Sequence, residues 1–122
     1  MKILITGSNN YIANDIIELF SKDNKNEIIA TYNKKKPRLK KKNIKLIKID
    51  LTKKINLLNK IQVLIHCASA TPYKKYNILD YKKINILGFI KILNQTLIYF
   101  RIFCNVYYIQ VDKRNFDFAH IK

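Results

Sequence analysis

Glycine, proline and cysteine are scarce in this chain, with two of each in 122 residues, and tryptophan is absent. The two cysteines, Cys67 and Cys104, stand far apart. They form no CxxC pair, and with His66 and His120 they do not approach the spacing of a zinc site, which needs about four convergent ligands. No run of about 18 apolar residues occurs, the length a membrane-spanning helix requires. The most apolar segment, 84–109, is broken by Lys91, Asn94, Gln95 and Arg101. Met1-Lys2 is followed by only three apolar residues, so no signal peptide is expected. Acidic residues are few as well: eight, against 24 basic ones.

What is present is a core-forming composition, 48% hydrophobic, which excludes a disordered tail. One domain with a modest core is expected. The net charge of +16 would ordinarily suggest a nucleic acid or an anionic surface. Lys, Ile and Asn, however, number 21, 22 and 14, and all have A/T-rich codons. Much of the charge is then expected to reflect coding bias. Only three of the basic residues are Arg, the side chain best suited to bidentate phosphate and base contacts. No specific nucleic-acid partner and no membrane are therefore expected, and a reducing, cytoplasmic setting is the default.

Short apolar runs alternate with segments of helical period. Strands are predicted over Lys2–Thr6, Glu27–Tyr32, Ile44–Asp50, Gln62–Cys67 and Asn105–Val111. Helices are predicted over Asn10–Lys22, where Ile12, Ile16, Leu19 and Phe20 share a face, and over Tyr76–Arg101, beginning near Asp80. Thr52–Lys60 reads as a short helix or turn, and Lys34–Lys42 as a basic loop containing Pro37. This order calls for an α/β fold with a doubly wound, Rossmann-like parallel sheet of about five strands.

In such a sheet ligands sit beyond the carboxyl ends of the strands, and the first strand-to-helix turn is the phosphate site. Here that turn reads Thr6-Gly7-Ser8-Asn9-Asn10-Tyr11-Ile12-Ala13. Gly7 fills the first of the three usual glycine positions. Asn10 stands at the second, where tolerance of a left-handed backbone is useful. Ala13 stands at the third. Alone, the pattern is compatible with an ordinary β-turn-α connection.

Thr-Gly-x-x-x-Tyr-Ile resembles the opening of the extended short-chain dehydrogenases, the NAD(P)-dependent epimerase/dehydratase family. Three later features resemble it in register: Asp50-Leu51 after the third strand, Val63-Leu64-Ile65-His66-Cys67-Ala68-Ser69 at the fourth, and Asn85-Ile86-Leu87-Gly88 in the next helix. The resemblance spans residues 1–111, an incomplete NAD(P)-binding domain, and leaves 112–122 as an unplaced tail. It implies cofactor contacts at Thr6, Gly7, Asn10, Tyr11, Ile12, Asn33, Lys34, Asp50, Leu51, Cys67, Ala68, Ser69 and Asn85. Strand two ends Thr31-Tyr32-Asn33-Lys34 with no acid to bind a ribose 2′-hydroxyl, which tilts the expectation toward NADP over NAD.

Family catalysis uses Tyr-x-x-x-Lys, in which the Lys tunes the Tyr as acid or base. The only such spacing is Tyr32 to Lys36, at the adenosine end, and it reads as chance in a Lys-rich chain. After strand five, Tyr107-Tyr108-Ile109-Gln110-Val111 replaces the family's Ser-bearing segment, and no Ser or Thr follows Thr96. The expectation is an N-terminal cofactor-binding portion, inactive alone or completed by a second chain. The alternatives are a non-catalytic interaction or sensor protein and a basic nucleic-acid module. Expected partners are the dinucleotide and a second chain or copy at an exposed sheet edge. By resemblance only, the substrate class would be sugar nucleotides.

Overall fold

A computed structural model describes residues 1–57, 60–70 and 76–97. Strand β1 (Lys2–Thr6) lies at the centre of a four-stranded, all-parallel sheet with β2 (Glu27–Tyr32), β3 (Ile44–Lys48) and β4 (Val63–His66), in the order β3-β2-β1-β4. Leu4 pairs with Ile29 on one side and Leu64 on the other. The predicted fifth strand, Asn105–Val111, the end of the predicted helix at Arg101, and the tail 112–122 lie outside the described residues.

The pleat sorts the apolar residues onto two faces. Ile3, Ile5, Ile28 and Ala30 point to one face and are fully buried against Ala13 and Ile17. Those two belong to helix α1 (Tyr11–Phe20), one turn apart. Leu4 and Ile29 point to the opposite face, where Leu51, Ile55, Leu57, Ile61 and Ile92 cover them. This two-sided burial is why β1 and β2 read as continuous apolar runs. β3 and β4 are the outer strands of the described sheet and are only half-buried.

β3, β4 and the long helix differ from the sequence expectation. β3 stops at Lys48 and β4 spans Val63–His66, each shorter than predicted. Thr52–Lys60 resolves to a turn and irregular chain in its described part, with Leu51, Ile55 and Leu57 plugging the second core. The long helix exists, but in three contiguous parts: α2 (Ile78–Tyr81), a π-helical segment (Lys82–Leu87) and α3 (Gly88–Leu97). Asn77 caps its start by accepting from the Asp80 N–H at 2.8 Å. No helix among the described residues is long and apolar enough to cross a membrane.

Candidate functional site

All four strands run in parallel, so their carboxyl ends share one edge of the sheet. From β1 the chain proceeds outward to β2 and β3, then returns to the far side of β1 as β4. The crevice beyond such a reversal is the expected ligand position in open α/β sheets. A cleft of about 980 Å³ occupies it, walled by the loops leaving all four strands.

At its floor, Gly7 has φ +74°, a left-handed conformation that L side chains rarely adopt. A Cβ there would lie 2.7 Å from the Ala68 nitrogen and 2.8 Å from the Cys67 carbonyl carbon. Glycine is therefore demanded twice, by conformation and by the β4 exit chain crossing over it. Thr6, fully buried beneath, ties down the same chain. Its Oγ1 accepts from the Ala68 N–H at 3.2 Å and lies 2.8 Å from His66 Nδ1. Assigning the hydroxyl proton to Nδ1 makes His66 the neutral tautomer protonated at Nε2. Burial lowers the His66 pKa to about 4, partly offset by the Ala68 backbone. Phe89 packs on the ring, 4.9 Å between centroids.

Asn10 does not use the left-handed backbone that its position in the motif suggested. It has φ −77° and ψ 141° and serves as the N-cap of α1. Its Oδ1 accepts from the Ile12 N–H at 2.9 Å, and its Nδ2 donates to the Cys67 carbonyl at 3.3 Å. The side chain that replaces the second glycine thus satisfies one orphan donor of the helix and grips the β4 exit. Capping removes one of the N–H groups that a helix start offers to an anion. The Tyr11 and Ala13 N–H groups have no protein partner among the described residues. The side chains of Tyr11 and Ile12 are 80% and 57% exposed and do not line the cleft. Ser8 is fully buried, donates its N–H to the Thr31 carbonyl at 2.8 Å, and its Oγ has no partner among the described residues.

The remaining nominated residues fall on the walls. Asn33 and Lys34 line the side formed by the β2 exit, joined by Lys35, Lys36 and Arg38. Asn9 Nδ2 donates to the Lys35 carbonyl and pins that basic loop to the first turn. Cys67, Ala68 and Ser69 form the side opposite, and burial pushes the Cys67 thiol pKa up. Asp50 and Leu51 close the cleft at the β3 exit, and Asp50 is the sole carboxylate among the lining residues. Asp50 Oδ1 accepts from the Thr52 hydroxyl at 2.7 Å and the Thr52 N–H at 2.9 Å. These bonds, aided by Lys53 and Lys91, hold its pKa below the ordinary carboxylate value despite some burial.

Asn85 does not reach the cleft itself. Its Oδ1 accepts from the Ala70 N–H at 2.7 Å and its Nδ2 donates to the Ala70 carbonyl at 3.1 Å, so it holds a wall residue in place. Sequence reasoning missed Lys91, which it treated as an interruption of an apolar run. The Lys91 ammonium donates to the carbonyls of Leu51, Thr52 and Lys53 at 3.3, 3.1 and 3.2 Å. Its placement, six residues after Asn85 on the same helix, carried no local signal for that contact. No cluster of metal-ligating side chains occurs among the described residues. The arrangement is a basic cleft with one acceptor carboxylate, suited to an anionic ligand that also carries a hydrogen-bond donor. No protein-family model matches the chain, and no curated protein matches it.

Proposed function

We propose that the cleft binds a dinucleotide, NADP in preference to NAD, on a Rossmann-like sheet resembling that of the extended short-chain dehydrogenases. The observation that carries this reading is the coincidence of three features at the reversal point. They are the left-handed Gly7 turn under the β4 exit, the cationic β2 exit at Lys34–Lys36, and the carboxylate of Asp50 at the β3 exit. A ligand with phosphates at one part and a donor-bearing ring at another matches that layout. The only Tyr-x-x-x-Lys pair, Tyr32 and Lys36, lies at the β2 exit. The proposed role is therefore binding, with no turnover by these residues alone. Sugar-nucleotide chemistry enters only through the resemblance.

A second reading, a non-catalytic interaction or sensor protein, is favoured by one observation. Thr6, Gly7 and Asn10 each have a complete structural role in fixing the β4 exit chain. The two readings separate in a titration of the purified chain with NADPH and NADH at near-physiological salt, followed by ligand fluorescence. Gly7 variants make poor controls, because a side chain there collides with backbone. Ser69→Trp is the better one, since Ser69 is exposed and lines the cleft. The dinucleotide reading expects saturable binding that Ser69→Trp abolishes. It also expects a Lys34→Glu/Lys35→Glu pair to weaken NADPH about tenfold while changing NADH little. Absence of binding by a chain with a cooperative melt rejects it in favour of the interaction protein.

A further inference from the structure

Lysine on a helix surface is ordinarily solvated. Lys91 is half-buried, and its ammonium sits among three consecutive backbone carbonyls, those of Leu51, Thr52 and Lys53. The turn it grips begins at Asp50. That turn is closed from within by the Lys53 N–H donating to the Asp50 carbonyl at 3.0 Å. The Thr52 N–H and hydroxyl both donate to Asp50 Oδ1. Gly88, one helical turn before Lys91, brings the helix close enough for this reach: a Cβ there would be 2.8 Å from Leu51 Cβ. With Oδ1 occupied twice, Asp50 Oδ2 has no partner among the described residues, and the residue lines the cleft.

We infer that Lys91 is a positioning residue for the cleft: by holding the Leu51–Lys53 carbonyls it fixes the Asp50 turn so that Asp50 Oδ2 is a preset acceptor for an amino group on the ligand's ring. The inference rests on the dinucleotide reading for its ligand. Every other charged lining residue is cationic, so Asp50 is the one place where a donor is favoured and an oxo group is opposed. Lys91 acts on Asp50 by its charge, which helps hold the carboxyl ionised, and through the turn, because its hydrogen bonds go to backbone carbonyls; the positioning claim concerns the second.

The test compares NADPH with its hypoxanthine analogue, in which the ring amino group is replaced by an oxo group. Wild type should prefer the amino form about tenfold, the order expected for a hydrogen bond to a charged acceptor. Asp50→Asn should erase the preference. Lys91→Met should reduce it to less than threefold, by weakening the amino form more than the hypoxanthine form. Lys91→Arg retains charge, but a planar guanidinium cannot serve three carbonyls clustered about one point. It should also lower the preference, and it covers the case in which Lys91→Met fails to fold. An unchanged preference, or equal weakening of both ligands, overturns the inference. If wild type binds neither ligand, the dinucleotide reading falls and the Lys91 inference is decided by NMR titration of the Asp50 carboxyl. A higher Asp50 pKa in Lys91→Arg, where charge is preserved, supports positioning through the turn, whereas no shift overturns it.

Discussion

On the dinucleotide reading, Asn10 is where one side chain sets helix stability against ligand binding. As N-cap it satisfies the Ile12 N–H, and its amide holds the Cys67 carbonyl. Glycine at this position keeps the extended backbone while releasing the donor. Asn10→Gly should therefore tighten NADPH binding by about three- to tenfold, the worth of one recovered hydrogen bond. Its stability cost at the cap alone is a few tenths of a kcal/mol, with the Cys67 bond adding about 1 kcal/mol. Isothermal titration and thermal melts of the same preparation measure both signs. Tighter binding with no loss of stability would mean that the cap is idle. His66 supplies a pH dependence. Its folded pKa, about 4, lies below the ordinary 6.5, so between those values the unfolded chain binds more protons. The stabilisation is complete above about pH 6.5 and is lost as pH falls toward 4, amounting to about 3 kcal/mol. Denaturant midpoints at several pH values should follow that curve, and His66→Gln should flatten it. Equal slopes in the two proteins would place the acid sensitivity elsewhere.

The long helix shows what element-level sequence patterns carry and what they leave out. Its existence was legible from apolar spacing, and its start, expected near Asp80, falls at Ile78. The π-helical segment was not, because the contacts at it are tertiary: Asn85 within it bonds Ala70, and Gly88 just after it lies against Leu51. The central strands were legible for the opposite reason. Burial on both faces writes an unbroken apolar run, whereas β3 and β4, half-buried at the margins, end where pairing ends rather than where apolar residues do. Most of the nominated residues gather at the carboxyl edge of the sheet, because strand ends are easy to mark in a sequence. Which distant carbonyl the Asn10 amide grips, and which distant lysine holds the Asp50 turn, depend on contacts across 40 positions or more. Gly88→Ala tests this tertiary control. Alanine improves helix propensity by about 1 kcal/mol, but the 2.8 Å approach to Leu51 Cβ demands repacking, costing about 1–3 kcal/mol. The clash should win, giving a net loss of about 1 kcal/mol, and Leu51→Ala should make the two changes less than additive. A stabilised Gly88→Ala protein would show that the π-helical segment yields freely.

Across the whole molecule, and on the dinucleotide reading, charge acts on folding and on binding with opposite signs. The chain carries +16, and among the described residues one ion pair is present, Lys2 with Glu27 at 3.1 Å across the β1–β2 register. Self-repulsion among lysines therefore outweighs local attraction, and added salt should stabilise the fold by screening it. The outer strand β3 exposes Lys45 and Lys48, which discourage edge-to-edge pairing while that repulsion lasts. The solvent side of the long helix adds Ile78, Leu79, Ile86, Leu87 and Ile90, each at least 43% exposed. With Lys82 and Lys83 they form two rows at four-residue spacing, Ile78-Lys82-Ile86-Ile90 and Leu79-Lys83-Leu87. Salt should thus raise the melting temperature and, at higher concentration, promote self-association. It should meanwhile weaken NADPH binding through Lys34–Lys36, and more steeply than NADH binding, because the extra phosphate adds charge to be screened. Melting curves, light scattering and titrations across one salt series read all three. A melting temperature that falls with salt would mean that specific ion pairs dominate. Equal salt slopes for the two dinucleotides would remove the cationic β2 exit from the site.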